Sequence, residues 1–326
     1  MRLSWRVIGA ALTLVGLATA AEAGGGRPLH RPGPVNLTVP DAFTAILIRP
    51  LAPRTAAFPG DDGRYHVVYE LLLTNAKALP AAFDRIDVLD ADDRTRVLLS
   101  VSGADLLART LFLNAAPAPD TTLASNESKA VMMELVFETE ADVPAGLVHR
   151  LEGTGADHPA AAIPGPLSYL AAPWPLNEVT PPVLGPPLTG QGWVVANGCC
   201  LTLGPHRSSI QTINGNLDNS QRFAIDWLKL DDENRFVLGD PAVLENWAGF
   251  GQPVLSVSDG VVVEARNDLD DQVPGSLPPP LTITVETVDG NHVVVDMGNG
   301  LFAFYAHFKK GSVAVQAGDR VTVNSF

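Results

Sequence analysis

The chain has 326 residues, with 36 Asp plus Glu against 22 Lys plus Arg and a formal net charge of −14. That length fits about two domains of about 100–200 residues, each able to bury its own core. The acid excess excludes a nucleic-acid partner, whose phosphates require Lys and Arg, and excludes docking on an anionic membrane surface.

Residues 1–23 read as a secretion signal. Arg2 and Arg6 form a basic region, Val7 to Ala20 an apolar run, and Ala21-Glu22-Ala23 a small-residue cleavage site. The run is shorter than the roughly 20 apolar residues of a membrane-spanning helix. The expected mature chain is exported, periplasmic or secreted, with no stable membrane span after cleavage.

Residues 30–158 read as an all-β domain. His66 to Leu73 is a β-branched and apolar run closed by Thr74-Asn75, and Ile86 to Asp90 alternates before a turn at Asp92-Asp93. Val97 to Val101 and Val131 to Phe137 are further short strands, and Leu106 to Leu113 is a helix or another strand. Turns at Gly60-Asp61-Asp62-Gly63 and Ser125-Asn126-Glu127-Ser128 separate them. Short strands at this spacing predict a sandwich with an immunoglobulin-like pattern. His66 and His149 read as structural.

Residues 159–191 read as a linker, because nine of the 27 prolines fall within 159–188. Such a stretch is extended and stiff. It either spaces two domains or wraps across one of them, since Tyr169, Leu170 and Trp174 can dock.

From residue 192 the β signal resumes. Predicted strands are Phe223–Trp227, Pro253–Val257, Val261–Ala265, Leu281–Val288, Val293–Asp296, Leu301–Phe308 and Val313–Val315. Turns fall at Asp259-Gly260, Asp289-Gly290-Asn291 and Gly298-Asn299-Gly300. Asn267 to Pro280 is a polar, proline-rich insertion. The predicted class is all-β, an N-terminal sandwich followed by a sheet or barrel-like domain.

Three side chains stand out for chemistry. His206 follows Gly204-Pro205 in a polar loop, where a lone His is ordinarily solvated. Asp226 lies among Phe, Ala, Ile and Trp, so its carboxylate needs a partner: a metal, Arg222 or Arg235. His307 alternates with aromatic residues and suits a core edge. Cys199-Cys200 is open to three readings: a strained vicinal disulfide, two buried thiols, or pairing between chains. The chain holds no G-x-S-x-G elbow, no Walker or dinucleotide loop and no H-E-x-x-H helix.

In order, Asn197-Gly198-Cys199-Cys200, His206-Arg207, Gln221 to Trp227, Gly251 to Val262, Gly290 to Asp296, Tyr305-Ala306-His307 and Val315 to Val321 resemble the lysostaphin-like zinc metallopeptidases. The resemblance covers residues 192–326. It implies zinc as cofactor, peptidoglycan or its stem peptides as partner, and hydrolysis of peptide bonds in cell-wall cross-links. It further implies His206 and Asp226 as zinc ligands, and His307 as the catalytic residue that orients the attacking water. The spacing of twenty positions from His206 to Asp226 departs from the four of most members and resembles a subgroup with an insertion. The family's His-x-His phrase, which brings the third ligand, does not follow Gly318-Asp319-Arg320-Val321 before Phe326. His292 lies at a position the family does not use for metal. An impaired peptidase is therefore expected; the alternative is a non-catalytic peptidoglycan-binding or hydrolase-regulating protein.

Overall fold

The computed structural model describes residues 34–52, 54–176, 179–198 and 201–325. The expected signal segment 1–23 and the Cys199-Cys200 pair lie outside the described residues. The chain is all-β, as its patterning predicts, and every strand pairing is antiparallel.

Ten strands build the N-terminal half: β1 Ile46–Pro50, β2 Phe58–Pro59, β3 Tyr65–Asn75, β4 Ala81–Asp90, β5 Val97–Ser102, β6 Thr110–Phe112, β7 Thr122–Leu123, β8 Ser128–Phe137, β9 Gly146–Gly155 and β10 Gly165–Pro175. One sheet runs β1-β3-β8-β6 with β2 on β3, and the other runs β10-β9-β4-β5 with β7 on β4. Alternation sends Tyr69, Leu71 and Leu73 of β3 and Val131, Met133 and Leu135 of β8 inward. They join Phe83, Ile86 and Val88 of β4 and Leu147 and Leu151 of β9 in one buried cluster. Two antiparallel sheets thus share one buried core. The ambiguous stretch from Leu106 resolves into both options, a short helix α1 Gly103–Ala108 and then β6.

The proline-rich stretch is partly a strand. β10 lies wholly within 159–191 and pairs with β9 from Gly165↔Gly155 to Pro175↔Gly146. A bulge between Ala171 and Trp174 accommodates Pro173, and Ala172 takes a positive φ of 47° there. The Tyr169 hydroxyl donates to Ile46 O at 2.5 Å, and Trp174 is buried against Tyr69. Of the two sequence readings, wrapping across a domain describes this first part.

The C-terminal half holds β11 Trp193–Asn197, β12 Gln211–Ile213, β13 Asn216–Asp218, β14 Asp226–Lys229, β15 Gly260–Arg266, β16 Asn291–Gly298, β17 Leu301–Phe308 and β18 Arg320–Val321. β11 pairs with β14, β12 with β13, and a four-stranded sheet runs β17-β16-β15-β18. Among the described residues no sheet closes into a barrel. The β12–β13 hairpin turns at Asn214-Gly215, both at positive φ, as a two-residue turn of this type requires.

Three predicted strands are absent. Leu281–Val288 is a short 3-10 turn followed by further turns, with Leu281 fully exposed. β16 already has β15 and β17 as neighbours, and among the described residues this segment pairs with no strand. Pro253–Val257 is irregular: it bonds to Gly185 and Pro187 of the proline-rich stretch at 2.7 Å each, and Pro186, Pro187 and Pro253 cannot donate to a regular ladder. Val313–Val315 is also irregular and packs on the β15–β18 sheet. The predicted strand Phe223–Trp227 starts three residues later, at Asp226, because Gln221 to Phe223 form a turn.

His149 is fully buried in the sandwich. Its Nδ1 donates to Ala172 O at 3.0 Å, and its Nε2 accepts from the Tyr69 hydroxyl at 2.8 Å. Burial holds the imidazole down at about 4. The unfolded chain takes up this proton near pH 6.5 and the folded chain does not. Stability is therefore complete above pH 6.5 and falls by about 1.4 kcal/mol per pH unit as pH drops toward 4. Urea unfolding of wild type and His149→Gln across that window checks this: the variant is less stable at pH 7, and its stability changes less with pH.

Candidate metal centre

The centre begins with a buried ion cluster. Glu70 lies mid-strand in β3 on the outer face of its sheet, yet it is 0% exposed. Residues 204–222 cover that face: Ile210 packs on Leu111, Ala130 and Met132. The Glu70 carboxylate receives Arg207 Nη1, Arg222 Nε at 2.8 Å, Arg222 Nη2 and Asn219 Nδ2 at 2.9 Å. Burial alone would push the Glu70 carboxyl up; the two guanidinium groups outweigh it and hold it below the ordinary range. Arg207 also donates from Nη2 to Tyr69 O and Met133 O, both at 3.0 Å.

His206 precedes Arg207 and is buried. Its Nδ1 lies 3.0 Å from Ala224 O. A carbonyl only accepts, so Nδ1 carries the proton. The remaining nitrogen, Nε2, stands 3.4 Å from Asp226 Oδ1. Asn197 Nδ2, on the neighbouring strand β11, donates to the other Asp226 oxygen at 2.8 Å. Asp226 is 46% exposed at its side chain, so it is open to solvent rather than enclosed by its apolar neighbours. Neither arginine considered from sequence is its partner: Arg222 holds Glu70, and Arg235 holds Asp231 and Glu233.

An imidazole with its proton on Nδ1 presents a lone pair from Nε2, and that lone pair faces a carboxylate oxygen. A cation placed between the two atoms would interact favourably with both. Two ligands of a tetrahedral zinc, each about 2.0–2.2 Å from the metal, are separated by about 3.3–3.6 Å. The 3.4 Å between Nε2 and Oδ1 fits that edge. The backbone bond at Nδ1 and the Asn197 bond at Oδ2 fix the orientation of the imidazole and of the carboxylate.

His292 repeats part of the pattern. Its Nδ1 lies 2.8 Å from Gly290 O and its Nε2 lies 3.2 Å from Glu264 Oε1. Glu264 is 61% exposed, and among the described residues its carboxylate has no second donor of the kind that Asn197 supplies to Asp226.

His307 is exposed on β17 with a positive φ of 65°, and its backbone N donates to Asp289 O at 3.1 Å. Among the described residues its side chain makes no hydrogen bond to His206 or Asp226, and no group of three His, Cys, Asp or Glu side chains is arranged to hold a metal. The structure thus brings together His206 and Asp226, and does not join His307 to them. Sequence reading missed Glu70, Asn197 and Asn219. A glutamate inside an apolar strand was the available signal for Glu70; Asn197 stood in the first phrase of the resemblance without a role, and Asn219 carried no signal.

Beside the Asp226 strand lies an apolar cleft of about 290 Å³, lined by Trp227, Lys229, Phe236, Leu244, Trp247 and Phe250 among others. Lys309 places its ammonium 4.8 Å from the centre of the Phe250 ring.

Compared with models of known protein families the chain matches none, and compared with curated proteins it finds no match.

Removing one partner of a buried ion cluster leaves uncompensated charge and costs about 3–5 kcal/mol. Arg207→Ala is therefore expected to lose stability in that range in urea unfolding. Arg235→Ala, whose ion pairs are exposed, is expected to lose less than about 1 kcal/mol.

Proposed function

We propose that the chain is an exported member of the lysostaphin-like zinc metallopeptidases, acting on peptide bonds of peptidoglycan cross-links. The observation that carries this reading is the approach of His206 Nε2 to Asp226 Oδ1 at 3.4 Å, with each partner held from behind by a separate hydrogen bond. His206 and Asp226 would hold the zinc. A zinc bound there lowers the pKa of its water and polarises a scissile carbonyl. Around that chemistry the chain's own residues have distinct tasks. Ala224 O keeps the His206 proton on Nδ1, and Asn197 keeps one Asp226 oxygen turned toward Nε2. The neighbouring cleft offers Trp227, Trp247 and Phe250 as an apolar wall for a bound peptide or sugar.

A catalytic zinc takes three protein ligands and one water. The described residues supply two, so zinc held by this pair is expected to be weak and cleavage slow. That shortfall favours a second reading, a non-catalytic peptidoglycan-binding protein.

Zinc titration against a chromogenic chelator, followed by release of soluble fragments from purified peptidoglycan, separates the two. The proposal expects saturable zinc binding that His206→Ala and Asp226→Ala each weaken by at least about 100-fold, together with chelator-sensitive cleavage. Peptidoglycan retention without zinc binding or cleavage would move the assignment to the second reading.

A further inference from the structure

We infer that Glu70, a residue of the N-terminal sandwich, is a positioning residue for the His206–Asp226 pair. The functional meaning of this inference rests on the zinc reading above; its geometry does not.

The argument follows two branches from one carboxylate. The first runs through Arg207, the residue next to His206. Its guanidinium bonds Glu70 and the carbonyls of Tyr69 and Met133, which anchors the His206 loop to two strands of the sandwich. Asn219 reinforces this branch, since its Nδ2 bonds both Glu70 and Arg207 O, at 2.9 and 2.8 Å. The second branch runs through Arg222, which grips Glu70 through Nε and Nη2. Arg222 sits in the turn where Ala224 N bonds Gln221 O at 2.9 Å. That turn presents Ala224 O to His206 Nδ1 and leads into Asp226 two residues later.

Glu70 therefore anchors both the backbone that carries the imidazole and the carbonyl that sets its tautomer. Its charge is essential to the arrangement. Arg207 and Arg222 converge on the same point and repel each other unless an anion separates them. A glutamine at position 70 keeps the size and one acceptor, but leaves the two guanidinium groups facing each other without the anion that bonds both, Glu134 remaining as the other carboxylate that acts on Arg207. The predicted result is a His206 loop and a 221–224 turn that no longer share one register, and a His206 ring free to exchange tautomers.

The test uses the full chain with Glu70→Gln, Arg222→Lys and Leu111→Ala. Leu111 is buried in the same outer-face cluster but touches none of these polar groups, so its variant controls for loss of stability alone. The first readout is the imidazole ¹⁵N shifts of His206 in metal-free protein, followed up in pH until the ring is neutral, where they report the tautomer. The second is zinc affinity by chelator competition. Wild type and Leu111→Ala are expected to show one tautomer, with the proton on Nδ1. Glu70→Gln is expected to show mixed tautomers and at least about 10-fold weaker zinc binding, the scale of lost outer contacts at metal sites. Arg222→Lys, which keeps the charge but loses the two-pronged grip, is expected to fall between and stands in if Glu70→Gln does not fold. Wild-type shifts and affinity in both network variants would overturn the inference, as would equal losses in Leu111→Ala. Absence of zinc binding by wild type would defeat the functional reading instead, and the tautomer comparison alone would then decide the positioning role.

Discussion

A single carboxylate with two guanidinium groups ties this architecture together. Glu70 occupies a position that strand alternation turns away from the sandwich core, where an acidic residue would ordinarily face water. Residues 204–222 remove that water, and a buried carboxylate then requires full compensation. Arg207, Arg222 and Asn219 provide it, and Arg207 satisfies further N–H groups on the Tyr69 and Met133 carbonyls. The outer face of the β3–β8 sheet is thereby an internal interface. The His206 loop is built on the sandwich rather than beside it.

The histidines show how surroundings assign different roles to one side chain. His149 has a hydroxyl donor on one nitrogen and a carbonyl acceptor on the other, so it is neutral, satisfied and structural. His66 lies between Asp62 and Glu134; burial alone would lower it, and the two carboxylates raise it instead. His206 has the carbonyl acceptor of His149, but its second nitrogen faces a carboxylate that Asn197 already holds. In that arrangement a ring nitrogen and a carboxylate oxygen stand 3.4 Å apart, each group held from behind by a separate hydrogen bond. The apolar cleft is lined by Trp227, Leu228 and Lys229 of the strand that Asp226 begins.

The departures from the sequence reading share one cause. A strand exists only where a partner offers free backbone groups along its edge. Leu281–Val288 has strong β character but pairs with no strand among the described residues, and remains turns. Gly165–Pro175 is rich in proline and still forms eleven residues of strand, because β9 presents an edge and a bulge absorbs Pro173. Phe223 reads as strand from its neighbours, yet Arg222 is drawn to Glu70 and the chain turns before Asp226. Composition decides which segments can pair, and long-range geometry decides which of them do.

Alternation in Tyr65–Asn75 and Ser128–Phe137, together with the Gly-Asn turns near residue 299, was enough to establish an all-β chain, because side-chain period and turn chemistry are local properties. The order of motifs from Asn197 to Val321 was enough to single out His206 and Asp226 as a pair, since resemblance depends on residue order and not on distance. Whether those two residues meet was a tertiary matter. Twenty positions separate them, and closing that loop depends on Arg207 and Arg222 converging on a glutamate more than 130 residues earlier in the chain. The apolar strand around Glu70 sets it apart, but its burial is created by a distant segment folding over it.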